Sequence, residues 1–171
     1  MKFRTTDLLA TCGAAGILIA SFLAFATTNN GSAYVSIVHM SPIFYLLPVL
    51  GLGALALAIV AMMRKVTAPP ASIALGAILL LLSVYTGFQA TSQLESFVYS
   101  QYQFQAERAR FNAEFDSFGN GTTPMPVVKQ KSIVIDDADK VTLGIGFYLS
   151  ALASLLIIGS GALMAKRGPA E

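Results

Sequence analysis

Cysteine chemistry is closed to this chain, because Cys12 is its only cysteine and lies in the first apolar segment. One thiol cannot form an intramolecular disulfide, a thiolate metal cluster or a dithiol redox pair, which leaves Cys12 as a small packing residue. Leu9, Ala10, Thr11 and Cys12 do not make a lipoprotein signal, since most of the apolar run follows the cysteine. Histidine is as scarce: His39 stands alone, so a haem held between two imidazoles of one copy is excluded. Charge is sparse too. Only 12% of the residues are charged and 55% are hydrophobic, against about 25% charged in soluble domains, and that balance belongs to a membrane protein. The net charge of +2 is thinly spread, so there is no electrostatic footprint for nucleic acid.

The charges present avoid four apolar runs. Residues 8–26, 43–63, 72–89 and 141–165 contain no Asp, Glu, Lys, Arg or His, and each approaches or exceeds the roughly 20 residues that cross a bilayer as a helix. The first run follows Lys2 and Arg4 as a signal peptide would, but it is longer than the usual apolar core of about 7 to 15 residues, so we read a retained helix. The fold expected is an all-α integral membrane protein with four transmembrane helices. Outside the membrane it has a helical extension of the third helix and a short extended return segment. Pumps, proton-coupled transporters and voltage sensors need ionisable groups at membrane depth, so a stand-alone transporter or proton channel is disfavoured, and a small transporter or channel formed as a homo-oligomer is a third possibility.

Orientation follows from the short flanks. Lys2 and Arg4 (segment 1–7), Arg64 and Lys65 (turn 64–71) and Lys166 and Arg167 (segment 166–171) lie on one side, while the first connection, 27–42, has no Lys or Arg. Both termini are therefore expected in the cytoplasm of an inner (plasma) membrane, with 27–42 and 90–140 outside, in a periplasmic position.

The long polar interval 90–140 carries Phe97, Phe104, Phe111 and Phe118 at seven-residue spacing, which lines four rings along one side of a helix. No proline interrupts the chain between Pro70 and Pro124, so the third helix is predicted to run on from Ser72 to Phe118, roughly 70 Å at 1.5 Å per residue. Gly119 to Pro126 reads as a turn and Val127 to Ile135 as an extended return that covers part of the aromatic face. Leu94, Val98, Tyr102 and Phe115 are expected to share that face, leaving aromatic surface for a partner or lipid. Asp136, Asp137 and Asp139 are read as caps of the fourth helix rather than as a cation site, because the spacing lacks the glycine and distal glutamate of a calcium loop.

Few residues offer chemistry. His39, next to Met40, is the one candidate for holding a haem or pigment, with an ordinary interfacial histidine as the plainer reading. Glu107, Arg108, Arg110, Glu114 and Asp116 are spaced as a solvated, mixed-charge helix face. Small residues mark close helix contacts: Ala10 with Ala14, Ala20 with Ala24, and Gly146, Ser150 and Ser154, the last three expected to face a partner subunit. Asn30 with Ser32 and Asn120 with Thr122 match the glycosylation pattern on the outer side.

The order of elements resembles that of tetraspanins and of quinone-reducing disulfide-forming oxidases: a short outer loop, a tight inner turn and a large outer loop after the third helix. Their outer cysteines are missing here, so neither the stapled loop nor the redox chemistry carries over. The expected function is a non-catalytic accessory or scaffold subunit of a larger membrane complex. Its partners would be other membrane-protein subunits and the lipid bilayer, with a homo-oligomer as a further form. The alternative is a redox or lipophilic-cofactor protein holding quinone, haem or pigment near His39, Tyr45, Tyr85 or Tyr148.

Overall fold

The computed structural model describes residues 5–64, 69–119 and 135–167, with side chains described there except at 64, 113–119 and 167. Most of this is helix: α1 (Thr5–Ser21), α2 (Leu46–Arg64), α3 (Pro69–Gly119) and α4 (Ile145–Arg167). Three helical spans, Pro42–Met63, Pro69–Asn112 and Ile145–Lys166, are long and apolar enough to cross a membrane, consistent with a membrane protein. α1 has 17 residues, about 25 Å at 1.5 Å per residue, which is short of a hydrocarbon core of about 30 Å.

The expectation of an all-α fold is corrected at both ends of the apolar runs. Residues 22–26 leave the first helix. Phe22 and Leu23 close a turn onto the Ile19 and Ala20 carbonyls, and Ala24–Thr28 becomes strand β1. Residues 141–143, assigned to the fourth helix by hydropathy, form β3 (Val141–Leu143). With β2 (Tyr34–Ser36) these make a three-stranded antiparallel sheet ordered β2-β1-β3. The physical reason is that a short apolar run buried on both sides reads alike as helix or strand. What decides here is pairing: Thr27 sits opposite Tyr34 on one side and Thr142 on the other. Asn29, Asn30 and Gly31 turn the chain between β1 and β2, with Gly31 in the left-handed region at φ 69°.

β1 is the central strand, and Phe25 and Ala26 are fully buried in it. They join Ile37, Met40, Phe44 and Leu47 from the following segment and Leu94 and Val98 from α3 in one apolar core. The sheet thus lies against α3 at one end of the bundle.

Below it, α4 packs between α1 and α3, and α2 packs on α1. Glycines allow the close approach. A Cβ on Gly13 would lie 2.7 Å from the Ala153 carbonyl, and one on Gly76 2.7 Å from Ile158. Gly146, Ser150 and Ser154 belong to this internal seam. A Cβ on Gly146 would meet the Ala20, Leu23 and Ala24 carbonyls at 2.9–3.0 Å, and both serines are fully buried. The partner expected on that face gives way to intrachain packing, because small residues mark a close helix contact without saying which helix makes it. Ser83, Ser154 and Ser160 donate to carbonyls of their own helices at 2.7–2.8 Å, so their hydroxyls enter the interior satisfied.

α3 is 51 residues long, about 76 Å, more than twice a hydrocarbon core. Pro69 and Pro70 sit in its first turn, where a missing amide costs nothing. The return segment expected at 127–135 lies outside the described residues except for Ile135, which packs on the core.

The tightest point is Gly144, where a Cβ would stand 2.3 Å from the Ala24 carbonyl. Since rigid backbone has to move, Gly144→Ala should lower stability by about 1–3 kcal/mol. Gly53→Ala, with nothing within 4 Å of the added methyl, should be neutral or stabilising by up to about 1 kcal/mol. Thermal unfolding of both variants in detergent checks this, and equal midpoints would contradict the packing described.

Candidate functional site

The sheet end of the molecule is tied together by polar contacts between three distant pieces of chain. Asp136, with its neighbours, forms a 3-10 turn (Asp137–Asp139) and caps it by accepting from the Ala138 amide at 3.4 Å. The aspartates therefore do not cap α4, from which β3 separates them. Asp139 faces inward instead. Its Oδ1 accepts from Asn30 Nδ2 at 2.9 Å and its Oδ2 from the Tyr102 hydroxyl at 2.7 Å. Tyr102 Oη in turn accepts from the Asp136 amide at 3.3 Å. Asn29 adds a side-chain bond to the Asp137 carbonyl at 2.9 Å, and the Asn29 and Asn30 amides reach the Lys140 and Ala138 carbonyls at 3.0 and 2.9 Å. One carboxylate thus joins the β1–β2 turn, the 3-10 turn and the second half of α3.

The charges in this clamp respond to one another. The hydrogen bond to Asp139 raises the Tyr102 phenol above its usual value, since losing the proton would set two anions side by side. Lys140 pairs with Asp137 and lowers that carboxyl, while its own ammonium is raised. This second pair is solvent-exposed and adds little to stability.

The part of α3 beside the sheet and clamp has two faces. Leu94 and Val98 are buried against the sheet, and Tyr102 follows them into the clamp. Tyr102 is therefore not part of the partner surface expected of it: five residues after Phe97, it is turned by about 140° around the helix. Phe97, Phe104 and Phe111 point elsewhere, with 52%, 61% and 67% of their surface exposed. The Phe118 side chain lies outside the described residues. Arg108 lies over the Phe104 ring at 5.7 Å, a cation–π contact on the same helix. Beside the clamp is a cavity of about 140 Å³, lined by Thr28, Ser32, Phe97, Gln101, Gln105 and Asp139 among others.

His39 is exposed on a 3-10 turn (Ile37–His39). Its Nδ1 is 3.0 Å from Ser36 Oγ, and its ring meets Tyr34 edge-on at 6.1 Å. Met40, its neighbour in sequence, is buried in the apolar core. Tyr45 donates to the Val38 carbonyl at 3.5 Å, Tyr85 stacks on Phe44 at 5.8 Å, and Tyr148 meets Phe147 edge-on. Among the described residues no group of three His, Cys, Asp or Glu side chains could hold a metal ion.

The clamp makes a pH-dependent contribution whose sign follows from the phenol. A pKa raised in the folded protein means stability that is present below the usual phenol range and is lost as pH rises through it. Tyr102→Phe should lower stability at neutral pH and remove that alkaline loss; unfolding midpoints at neutral and alkaline pH measure both. Unchanged midpoints at neutral pH would mean that the hydrogen bond to Asp139 contributes nothing.

Comparison with protein-family models, with curated proteins and with solved structures returned no match, so the functional reading rests on this chain's own residues.

Proposed function

We propose that the chain is a non-catalytic accessory subunit of a larger membrane complex, and that it docks a partner through the outward face of α3. The observation that carries this reading is the row of exposed rings at Phe97, Phe104 and Phe111. They stand on a helix that runs on beyond the length of a bilayer. Large exposed aromatic patches on a rigid element are the usual mark of an interface. Two further features support it. The clamp at Tyr102 and Asp139 fixes how the projecting helix leaves the bundle, and Arg108 over Phe104 gives the patch the aromatic and arginine character of interaction hot spots.

In this reading α1, completed by Phe22 and Leu23, is a short fourth span, and both termini lie in the cytoplasm. Basic residues at 2, 4, 64, 65, 166 and 167 support that orientation. The membrane is the inner (plasma) membrane, and the sheet, the clamp and the aromatic face lie outside it, in the periplasm.

Replacing Phe97, Phe104 and Phe111 together by serine should remove the partner from the tagged chain purified in mild detergent. The fold should remain, with stability changed by no more than about 0.5 kcal/mol. Partners retained at the wild-type ratio would refute the docking face.

Orientation has its own test. In a Cys12→Ser background, a cysteine replacing Ser32 should react with an impermeant maleimide on intact cells. A cysteine replacing Ala170 should react only after permeabilisation, and the opposite pattern would invert the topology.

A further inference from the structure

α2 and α3 are held together at one end and open at the other. Near the sheet, Phe44, just before α2, stacks on Tyr85 of α3 with ring centroids 5.8 Å apart and planes 21° from parallel. Toward the opposite end α2 presents Ala54, Ala58 and Ala61 at positions i, i+4 and i+7. Three methyl side chains cannot bridge to α3, and a crevice of about 280 Å³ remains between Ala58, Leu57 and Leu75, floored by α1 and α4. Among the described residues its lining is apolar apart from Ser72 and Asp7, and Asp7 is the one charged residue among them. The Asp7 side chain is half-buried, and among the described residues no cation pairs with it.

In a membrane the medium around such a crevice is hydrocarbon, and an unfilled void forfeits the dispersion contacts of every atom that lines it. A helix cannot enter, because it needs a slot about 10 Å wide along a gap that the Phe44–Tyr85 stack closes. A single aliphatic chain fits. The carboxylate in the lining favours a headgroup that brings an ammonium to Asp7, and a zwitterionic amine lipid also carries a phosphate for the basic residues that the sequence places close by, at Arg4, Arg64 and Lys65.

We infer that the α2–α3 crevice is a lipid site that takes one acyl chain of an amine-bearing phospholipid, with the headgroup ammonium against Asp7. The site lies at the far end of the bundle from the aromatic face and does not depend on the docking reading.

The full chain is reconstituted in vesicles of equal parts phosphatidylethanolamine and phosphatidylglycerol with matched chains. It is then extracted in mild detergent, and the retained lipid is counted by mass spectrometry. The wild type should keep about one lipid per chain, with the amine lipid enriched severalfold. Asp7→Asn should keep the lipid but bring the ratio back to that of the vesicle. Ala58→Phe, which fills the crevice, should lose the lipid; Ala61→Leu is the smaller filler to use if Ala58→Phe does not fold. Three results would each overturn the assignment: no retained lipid in the wild type, the same headgroup ratio in wild type and Asp7→Asn, or retention unaffected by the filling variants.

Discussion

The arrangement of the sheet end depends on one carboxylate. Asp139 accepts from Asn30 and from Tyr102, residues 109 and 37 positions away along the chain. Without it the β1–β2 turn and the 3-10 turn before β3 would have fewer ties to α3, although the sheet itself would still pair. A charged acceptor suits the task because hydrogen bonds to an ionised group are stronger than neutral ones. Asp139 also keeps both oxygens occupied within the chain. The clamp is thus a structural device, and its effect on function lies in where it leaves the rest of α3.

What it leaves is a division of labour around that helix. Leu94, Val98 and Tyr102 bind the helix to the chain's own sheet and clamp, while Phe97, Phe104 and Phe111 are turned away. The bundle beneath is assembled on the opposite principle, with side chains removed rather than added. Gly13 and Gly76 let helix backbones approach to distances that a methyl group would forbid, which is how helices associate where burial from water supplies no driving force. The alanines of α2 lack a close partner on α3, and the crevice there is the result.

The sequence made the helices legible and the contacts between them much less so. Arg64 and the proline pair at 69 and 70 mark the boundary between α2 and α3, and the proline-free stretch after Pro70 predicts a helix continuing to Phe118, close to the Gly119 end of α3. Ala24, Phe25 and Ala26 could not be recognised as strand, because their apolar run is continuous with the helix and only pairing with β2 and β3 distinguishes them. Gly146, Ser150 and Ser154 announce a close contact in their composition, but the helix they meet is a tertiary fact. Tyr102 lies among the ring residues in sequence, yet a helical count from Phe97 turns it away from them. The link from Asp139 to Asn30 has a faint signal, an Asn-Asn-Gly turn and an acidic turn in the polar connections next to apolar runs, but no local rule pairs them.

The aromatic face reaches a partner beyond the bundle only if α3 is one continuous helix. Nitroxide labels at Leu81 and Asn112, both on α3, in a Cys12→Ser background measure this directly. An unbroken helix predicts a single narrow distance distribution near 46 Å, from 31 residues at about 1.5 Å each. A broad distribution, or a maximum below about 35 Å, would mean that the helix bends or melts after the membrane, and the projecting face would go with it.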